Sequence, residues 1–320
     1  MPPRLFRKAL TAALIFAFVL SSVALAKHTP KEHTQPHTSA AMPFVPSEQL
    51  VYDGEFSKLL LRGINIAELR FKAYRPAAAS TPSAPAAGDA NTAAASSTIS
   101  PNATPSSSTA MPSSTTASPP LLLSTDVESK GWFHKLFGIN FHYHVDSQVE
   151  PNAFYALRTE KLDEQGKRVR KSEAVFDQDA KKVEYTERDP NNSEQAPRVI
   201  TAALEGPTQD IVSAIYFLRT QPLTPGQSFT IAVSDSGRVF QVPAVVSAEK
   251  KAMKSVLGKV AVVRLDVELF GPGRPIEQGK GKMSIWVTSD DRHVPIKARL
   301  STDMGQLDIT LKSMQRDAAQ

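Results

Sequence analysis

In the last third of the chain apolar and polar residues change places at almost every step. In VVRLDVEL, Val263, Leu265, Val267 and Leu269 fall on one side of an extended backbone while Arg264, Asp266 and Glu268 fall on the other. A period of two suits a strand with one face on a core and one in water, and it suits no helix. The same period runs through KMSIWVTS (Met283, Ile285, Val287), VPIKARLS (Val294, Ile296, Ala298, Leu300) and QLDITL (Leu307, Ile309, Leu311). The stretches SDDRH at 289–293 and DMG at 303–305 are turn-forming. Consecutive strands with short connections pair antiparallel, which makes this part of the chain a meander.

Upstream, EQLVYDGEF, LLLRGINIAELRFKAYR, INFHYHVDS, NAFYALRTEKL, RKSEAVFD, KKVEYTER, SFTIAVSDSG and VFQVPAVVSAE read as further strands. The total is roughly a dozen, and one sheet of that size tends to curl rather than stay flat. The expected fold is mainly β: a curved antiparallel sheet or open half-barrel packed around one or two short helices.

One segment breaks the period. PTQDIVSAIYFLRTQPLTPG, residues 207–226, carries Ile211, Ala214, Ile215 and Leu218 at helical spacing, and Val212, Tyr216 and Phe217 widen that stripe to most of the circumference. Thr208 is the expected N-cap, Asp210 suits the positive end of the helix dipole, Arg219 lies in the last turn and Pro222 stops continuation. A helix this apolar expects to be surrounded. Burying each large side chain is worth about 1.5–3 kcal/mol, so the helix is expected inside the curve of the sheet. SKGWFHKLFG at 129–138, with Trp132 among its apolar residues, is expected to form a second short helix over another part of the opening.

The N-terminus places Arg4, Arg7 and Lys8 before an apolar run from Ala9 to Leu20, then SSVALA ending at Ala26. This is the three-part pattern of a secretory signal, and the run is shorter than the ~20 residues of a membrane-spanning helix. The expectation is a signal peptide over 1–26, cleavage near Ala26, and an exported periplasmic or secreted product without a transmembrane anchor. The sequence contains no cysteine, which excludes disulfides, thiol nucleophiles, thiolate zinc sites and lipidation at a cysteine. Of 37 basic residues three belong to the signal, leaving 34 against 32 acidic. A balance that close to neutral gives no reason to expect a nucleic-acid partner.

Residues 27–43 have no apolar period and read as a flexible leader. In 76–120, 39 of 45 residues are Ala, Ser, Thr or Pro, too little apolar surface to offset ordering entropy. With strand-like sequence on both sides, the segment is expected to be a disordered insertion at a loop tip. What remains, 44–75 and 121–315, is of a length suited to one β-rich domain.

DIVSAIYFLR followed by LTPG, IWVTSDDRHVPI at 285–296, the closing GQLDITL, and PFVPSEQLVY at 43–52 with Ser47 where a glycine is usual together resemble the exported bacterial DUF3108 family, whose function is unknown. The resemblance implies an open half-barrel similar to periplasmic lipoprotein carriers, in which a curved sheet holds helices over an apolar cavity. It implies no catalytic residues.

Candidate chemistry is local. HYHVD sets His142, His144 and Asp146 on one strand face, a spacing at which three side chains can meet a metal; the plainer expectation is that Phe141, Tyr143 and Val145 face the core while these three face water. His28, His33 and His37 of the leader would bind a metal only at the entropic cost of ordering that segment. Asp290, Asp291, Arg292 and His293 stand side by side, which suits acid–base work, but aspartates are also common in turns for their own sake. GPGRPIEQGKGKMS fails as a phosphate loop in both spacing and its final residue, and there is no G-x-S-x-G elbow. The functional expectation is therefore a non-enzymatic envelope protein without a cofactor or metal. It would bind a lipid or other apolar envelope molecule in the concave face, at Ile211, Ile215, Tyr216, Trp286 and Trp132. The alternative is a structural or assembly protein with a filled core that binds an envelope protein or wall polymer through its surface.

Overall fold

In the computed structural model the described residues are 42–59, 61–75, 119–130 and 140–316. The signal, nearly all of the leader and of the Ala/Ser/Thr/Pro segment, and Trp132 with most of its expected helix lie outside them; Ser129 closes a strand instead.

Fifteen strands are found among the described residues: β1 (Glu48–Lys58), β2 (Leu61–Tyr74), β3 (Leu121–Ser129), β4 (Phe141–Val149), β5 (Ala156–Gln165), β6 (Arg168–Asp177), β7 (Lys182–Arg188), β8 (Arg198–Ala203), β9 (Ser228–Asp235), β10 (Arg238–Val246), β11 (Lys251–Ser255), β12 (Gly258–Val267), β13 (Gly281–Thr288), β14 (Pro295–Thr302) and β15 (Gly305–Arg316). One helix, α1 (Ile211–Thr220), lies between β8 and β9. The strands form a single sheet in the order β8-β7-β6-β5-β4-β3-β2-β1-β15-β14-β13-β12-β10-β9, with β11 paired to β12. Every strand pair in it is antiparallel.

The first and last strands pair with each other, from Glu48↔Arg316 to Ser57↔Gln306. This closes what would be the two chain-terminal edges and leaves the open edges at β8 and β9. Those two strands are consecutive in sequence, and α1 is the connection between them. The apolar helix that interrupts the meander is thus the element that crosses the gap in an otherwise continuous wall.

The register confirms the alternation. Leu265, Ile285, Ala298 and Ile309 stand opposite one another across β12, β13, β14 and β15, and the next residues, Arg264, Trp286, Lys297 and Thr310, form the matching row on the other face. Side chains from β4 (Tyr143) and β13 (Met283, Ile285) both line cavities that also touch Ile215 of α1. Laid flat, the six intervals from β4 to β13 would span about 29 Å at ~4.8 Å each, far more than a helix ~10–12 Å wide. The sheet is therefore curled with α1 inside the curve, and it does not close into a barrel.

The start of α1 differs from the expected one. Asp210, not Thr208, is the N-cap: its carboxylate accepts from the amides of Val212 and Ser213, while the Ser213 hydroxyl accepts from the Asp210 amide, a reciprocal capping box. Thr208 is excluded because its carbonyl accepts from the Ala156 amide of β5. The next residue, Gln209, bridges β9 in parallel: its amide donates to the Ala232 carbonyl at 2.8 Å and its carbonyl accepts from the Ser234 amide at 2.7 Å. Thr208 is therefore committed to β5 and Gln209 to the free edge of β9, and helical geometry begins after the Asp210 cap.

The other open edge is approached by the turn between β9 and β10. Gly237 there has φ 78°, and a Cβ at this position would lie 2.7 Å from the Cβ of Ile200 on β8. Only glycine fits both the left-handed backbone and the space. Gly237→Ala is expected to cost about 2–4 kcal/mol by backbone strain and overpacking, read as a lower midpoint in urea unfolding; a loss below about 0.5 kcal/mol would show that this turn does not rest on β8.

Candidate functional site

On α1, Val212, Tyr216, Phe217 and Leu218 are buried, whereas Ile211, Ala214 and Ile215 are only half covered. Spaced i, i+3 and i+4, these three share one side of the helix. Two apolar cavities lie along that side. The first, about 50 Å³, is lined by Leu50, Tyr52, Leu69, Phe71, Ile215, Tyr216, Arg219, Met283, Ile285, Pro295, Lys297, Ala298 and Ile309. The second, also about 50 Å³, is lined by Gly54, Ile66, Ala67, Leu69, Phe71, Thr125, Val127, Phe141, Tyr143, Ile211, Val212, Ile215, Leu307 and Ile309. Leu69, Phe71, Ile215 and Ile309 belong to both, so the two cavities adjoin along one groove, and Ile215 is the α1 residue common to them. The Thr125 hydroxyl, buried and without a hydrogen-bond partner among the described residues, belongs to a residue of the second wall.

Ile211, Ile215 and Tyr216, expected as ligand contacts, thus line this groove. Trp286 does not. It is half-buried in the outward row with Arg264 and Lys297, and the Arg299 guanidinium, itself bound to Asp308, lies 6.0 Å from its ring centroid. Met283, Ile285 and Val287 hold the inward alternate positions of β13, and Trp286, out of phase with them, packs partly buried against the core without lining either cavity.

The two ends of α1 are fixed by buried polar clusters. At the C-terminal end Arg219 is 1% exposed. Its guanidinium donates to both carboxylate oxygens of Glu48 and, at 3.2 Å from Nε and from Nη2, to the Arg292 carbonyl. Glu48 also accepts from Arg316, at 2.9 Å from Nη2. Phe44 and Tyr216 sit below the Arg219 charge, with ring centroids 5.0 and 5.6 Å away, and are edge-to-face with each other at 4.9 Å. At the N-terminal end the Asp210 carboxylate also accepts from the hydroxyls of Ser147 on β4 and Thr159 on β5. Burial raises its pKa above the ordinary carboxylate range despite those bonds. Nearby, Lys161 donates to Asp235 at 3.3 Å. Burial pushes the amine's pKa down, but the Asp235 charge overrides this and holds it above the ordinary lysine value. These clusters join residues up to 268 apart in sequence, and no local motif announces them.

Of the other candidates, Phe141, Tyr143 and Val145 are buried while His142 and His144 face outward. His144 bonds Asp126 of β3 at 2.6 Å and Asp146 at 3.1 Å, and His142 bonds Glu164 of β5 at 2.9 Å. Burial disfavours the charged form of His144, but these two carboxylates outweigh it and raise its pKa. Among the described residues no group of three or more such side chains is placed to hold a metal ion. Asp290 accepts from the Thr288 hydroxyl at 2.6 Å and from Arg292 at 2.7 Å, and the His293 ring lies 2.8 Å from the Arg219 carbonyl. The SDDRH stretch is thus engaged in holding its own turn and the end of α1. Neither Asp290 nor His293 lines either half of the groove. No helix among the described residues is long and apolar enough to cross a membrane.

No curated protein matches the chain. Among solved structures, a beta-barrel-like protein of domain of unknown function DUF1849 from Brucella abortus is similar at a TM-score of 0.50 with 9% sequence identity, over 86% of this chain and 99% of that one. At that identity the likeness concerns the fold alone. The family described as protein of unknown function (DUF3108) matches residues 110–312, a span that leaves out the resemblance read at 43–52 but contains α1 and every strand from β3 to β14. With well over half its length matched, the chain belongs to the DUF3108 family.

Proposed function

We propose that this protein is an exported, non-enzymatic carrier or sensor of an apolar or amphipathic molecule, held in the groove between α1 and the concave face of the sheet. The observation that carries this reading is the pair of apolar cavities that adjoin at Ile215. Ligand sites are typically concave and mostly apolar with few polar guides, and here the unpartnered Thr125 hydroxyl is the kind of guide that would fix one end of a ligand. Each half, at about 50 Å³, and even the two together, at about 100 Å³, fall below the ~300–1,000 Å³ usual for a ligand pocket, so binding requires Ile215 to swing aside and the curve of the sheet to widen.

The experiment is extraction of the protein purified from its native host, followed by mass spectrometry. Recovery of an apolar compound above that from a control protein is expected, with reduced recovery from Ile215→Trp, in which the indole fills the joint. Recovery no greater than the control would overturn the carrier reading.

The small volumes also favour a second reading: a scaffold whose core is already full and whose outer surface engages an envelope protein or wall polymer. Under it, Ile215→Trp changes stability and nothing else.

A further inference from the structure

The hairpin formed by β11 and β12 runs past the end of the β12–β13 pairing. β12 pairs with β13 only from Val262 onward, so Gly258–Val260 pair with β11 alone in a two-stranded ribbon, whose Met253, Leu257 and Val260 pack partly buried against the core. Its sequence breaks one local rule: Lys254 and Lys259 stand directly opposite each other, an arrangement that is destabilising for like charges. The two loop residues between Ser255 and Gly258 are Val256 and Leu257, and neither has the positive φ that would favour Asn, Asp or Gly there. Gly258, at φ 91°, supplies the left-handed conformation near the turn, so the geometry does not call for apolar residues at the tip. Val256 is 54% exposed. Lys250, Lys251, Lys254 and Lys259 are exposed, and none has an ion pair among the described residues. Departures from local consistency without a structural gain mark functional positions.

We infer that this hairpin docks on an anionic phospholipid surface, inserting the exposed Val256 at the acyl boundary while Lys254 and Lys259 beside the turn, and Lys250 and Lys251 at the far end of β11, meet the head groups. An exposed apolar residue flanked by flexible lysines is the arrangement that interfacial binding uses. A nucleic acid fits less well, since the hairpin offers no aromatic side chain for stacking, and its one arginine, Arg264, is already paired with Glu249 and Asp266. The inference does not depend on the groove, because a scaffold could dock in the same way.

The test is co-sedimentation of the whole mature protein with vesicles of phosphatidylcholine alone and with 30% phosphatidylglycerol added, about 30% being a composition chosen to give a strongly negative surface. Binding is expected only to the anionic vesicles, and to be largely lost in roughly 0.5 M salt. Lys254→Gln with Lys259→Gln is expected to weaken it about 25-fold, at about fivefold per lysine, and Val256→Asp is expected to weaken it with the lysines intact. Both changes lie at the exposed tip, so unchanged thermal unfolding is the control for folding. Equal binding to neutral vesicles, insensitivity to both variants, or tighter binding to duplex DNA than to the anionic vesicles would each overturn the inference.

Discussion

Replacing Arg219 by Met should lower the stability of the folded chain by about 3–5 kcal/mol, the usual consequence of removing one partner from a buried ion pair. In a domain of this size that corresponds to a fall of about 6–20 °C in Tm. The cost arises on three sides. Glu48, whose side chain is fully buried, would keep only Arg316 as a cationic partner, itself 30% exposed. The Arg292 carbonyl would lose its two guanidinium donors, and Phe44 and Tyr216 would lose the cation above their rings. The double variant Arg219→Met with Glu48→Leu should recover part of the loss, because replacing both members of a buried pair by apolar groups is far milder than orphaning one. Calorimetry on the three variants checks this. A single-variant loss below about 1 kcal/mol, or strict additivity in the double, would show that the pair is solvated and does not hold the end of α1.

Tyr216 should divide sharply between two substitutions. Tyr216→Ala removes a side chain that is 1% exposed, and the resulting cavity is expected to cost about 3–5 kcal/mol. Tyr216→Phe keeps the ring and its edge-to-face contact with Phe44 and removes a buried hydroxyl that has no hydrogen-bond partner. It is expected to be neutral or stabilising by up to about 1 kcal/mol. Tyr52→Phe provides the contrast. Its hydroxyl donates to the Pro295 carbonyl at 2.8 Å within the core, and losing that bond should cost about 1–3 kcal/mol by leaving the carbonyl unpaired. Equal losses for Tyr216→Phe and Tyr52→Phe in urea denaturation would mean that the Tyr216 hydroxyl has a partner after all.

The parts of the fold that were legible from sequence are those in which burial follows the period. β12 to β15 alternate cleanly because one face of each meets the core, and α1 stood out because it interrupts a period of two with a period near four. Three strands were not singled out, each for a physical reason. β3 opens on three consecutive leucines and has buried residues on successive positions, so no alternation exists to read. β8 is a short, largely exposed edge strand, and β11 is a five-residue ribbon strand carrying two lysines. The N-cap lies two residues beyond the expected Thr208 because the competing roles of Thr208, bonded to β5, and Gln209, covering the edge of β9, are tertiary demands with no local signature. The site divides in the same way. Ile211, Ile215 and Tyr216 follow from helical spacing, whereas Trp286 sits on a strand whose inward set was already visible as Met283, Ile285 and Val287. The pairing of Glu48 with Arg219 could not be read at all, because it depends on the first strand closing against the last.

The groove is tested most directly by titrating a fluorescent fatty-acid analogue into the wild-type protein, Ile215→Ala and Ile215→Trp. If Ile215 divides one apolar groove into two halves, Ile215→Ala joins them and binds at least as tightly as wild type, while Ile215→Trp binds at least about tenfold more weakly, or about 1.4 kcal/mol. Three indistinguishable isotherms, or no saturable binding to any of the three proteins, would contradict the account.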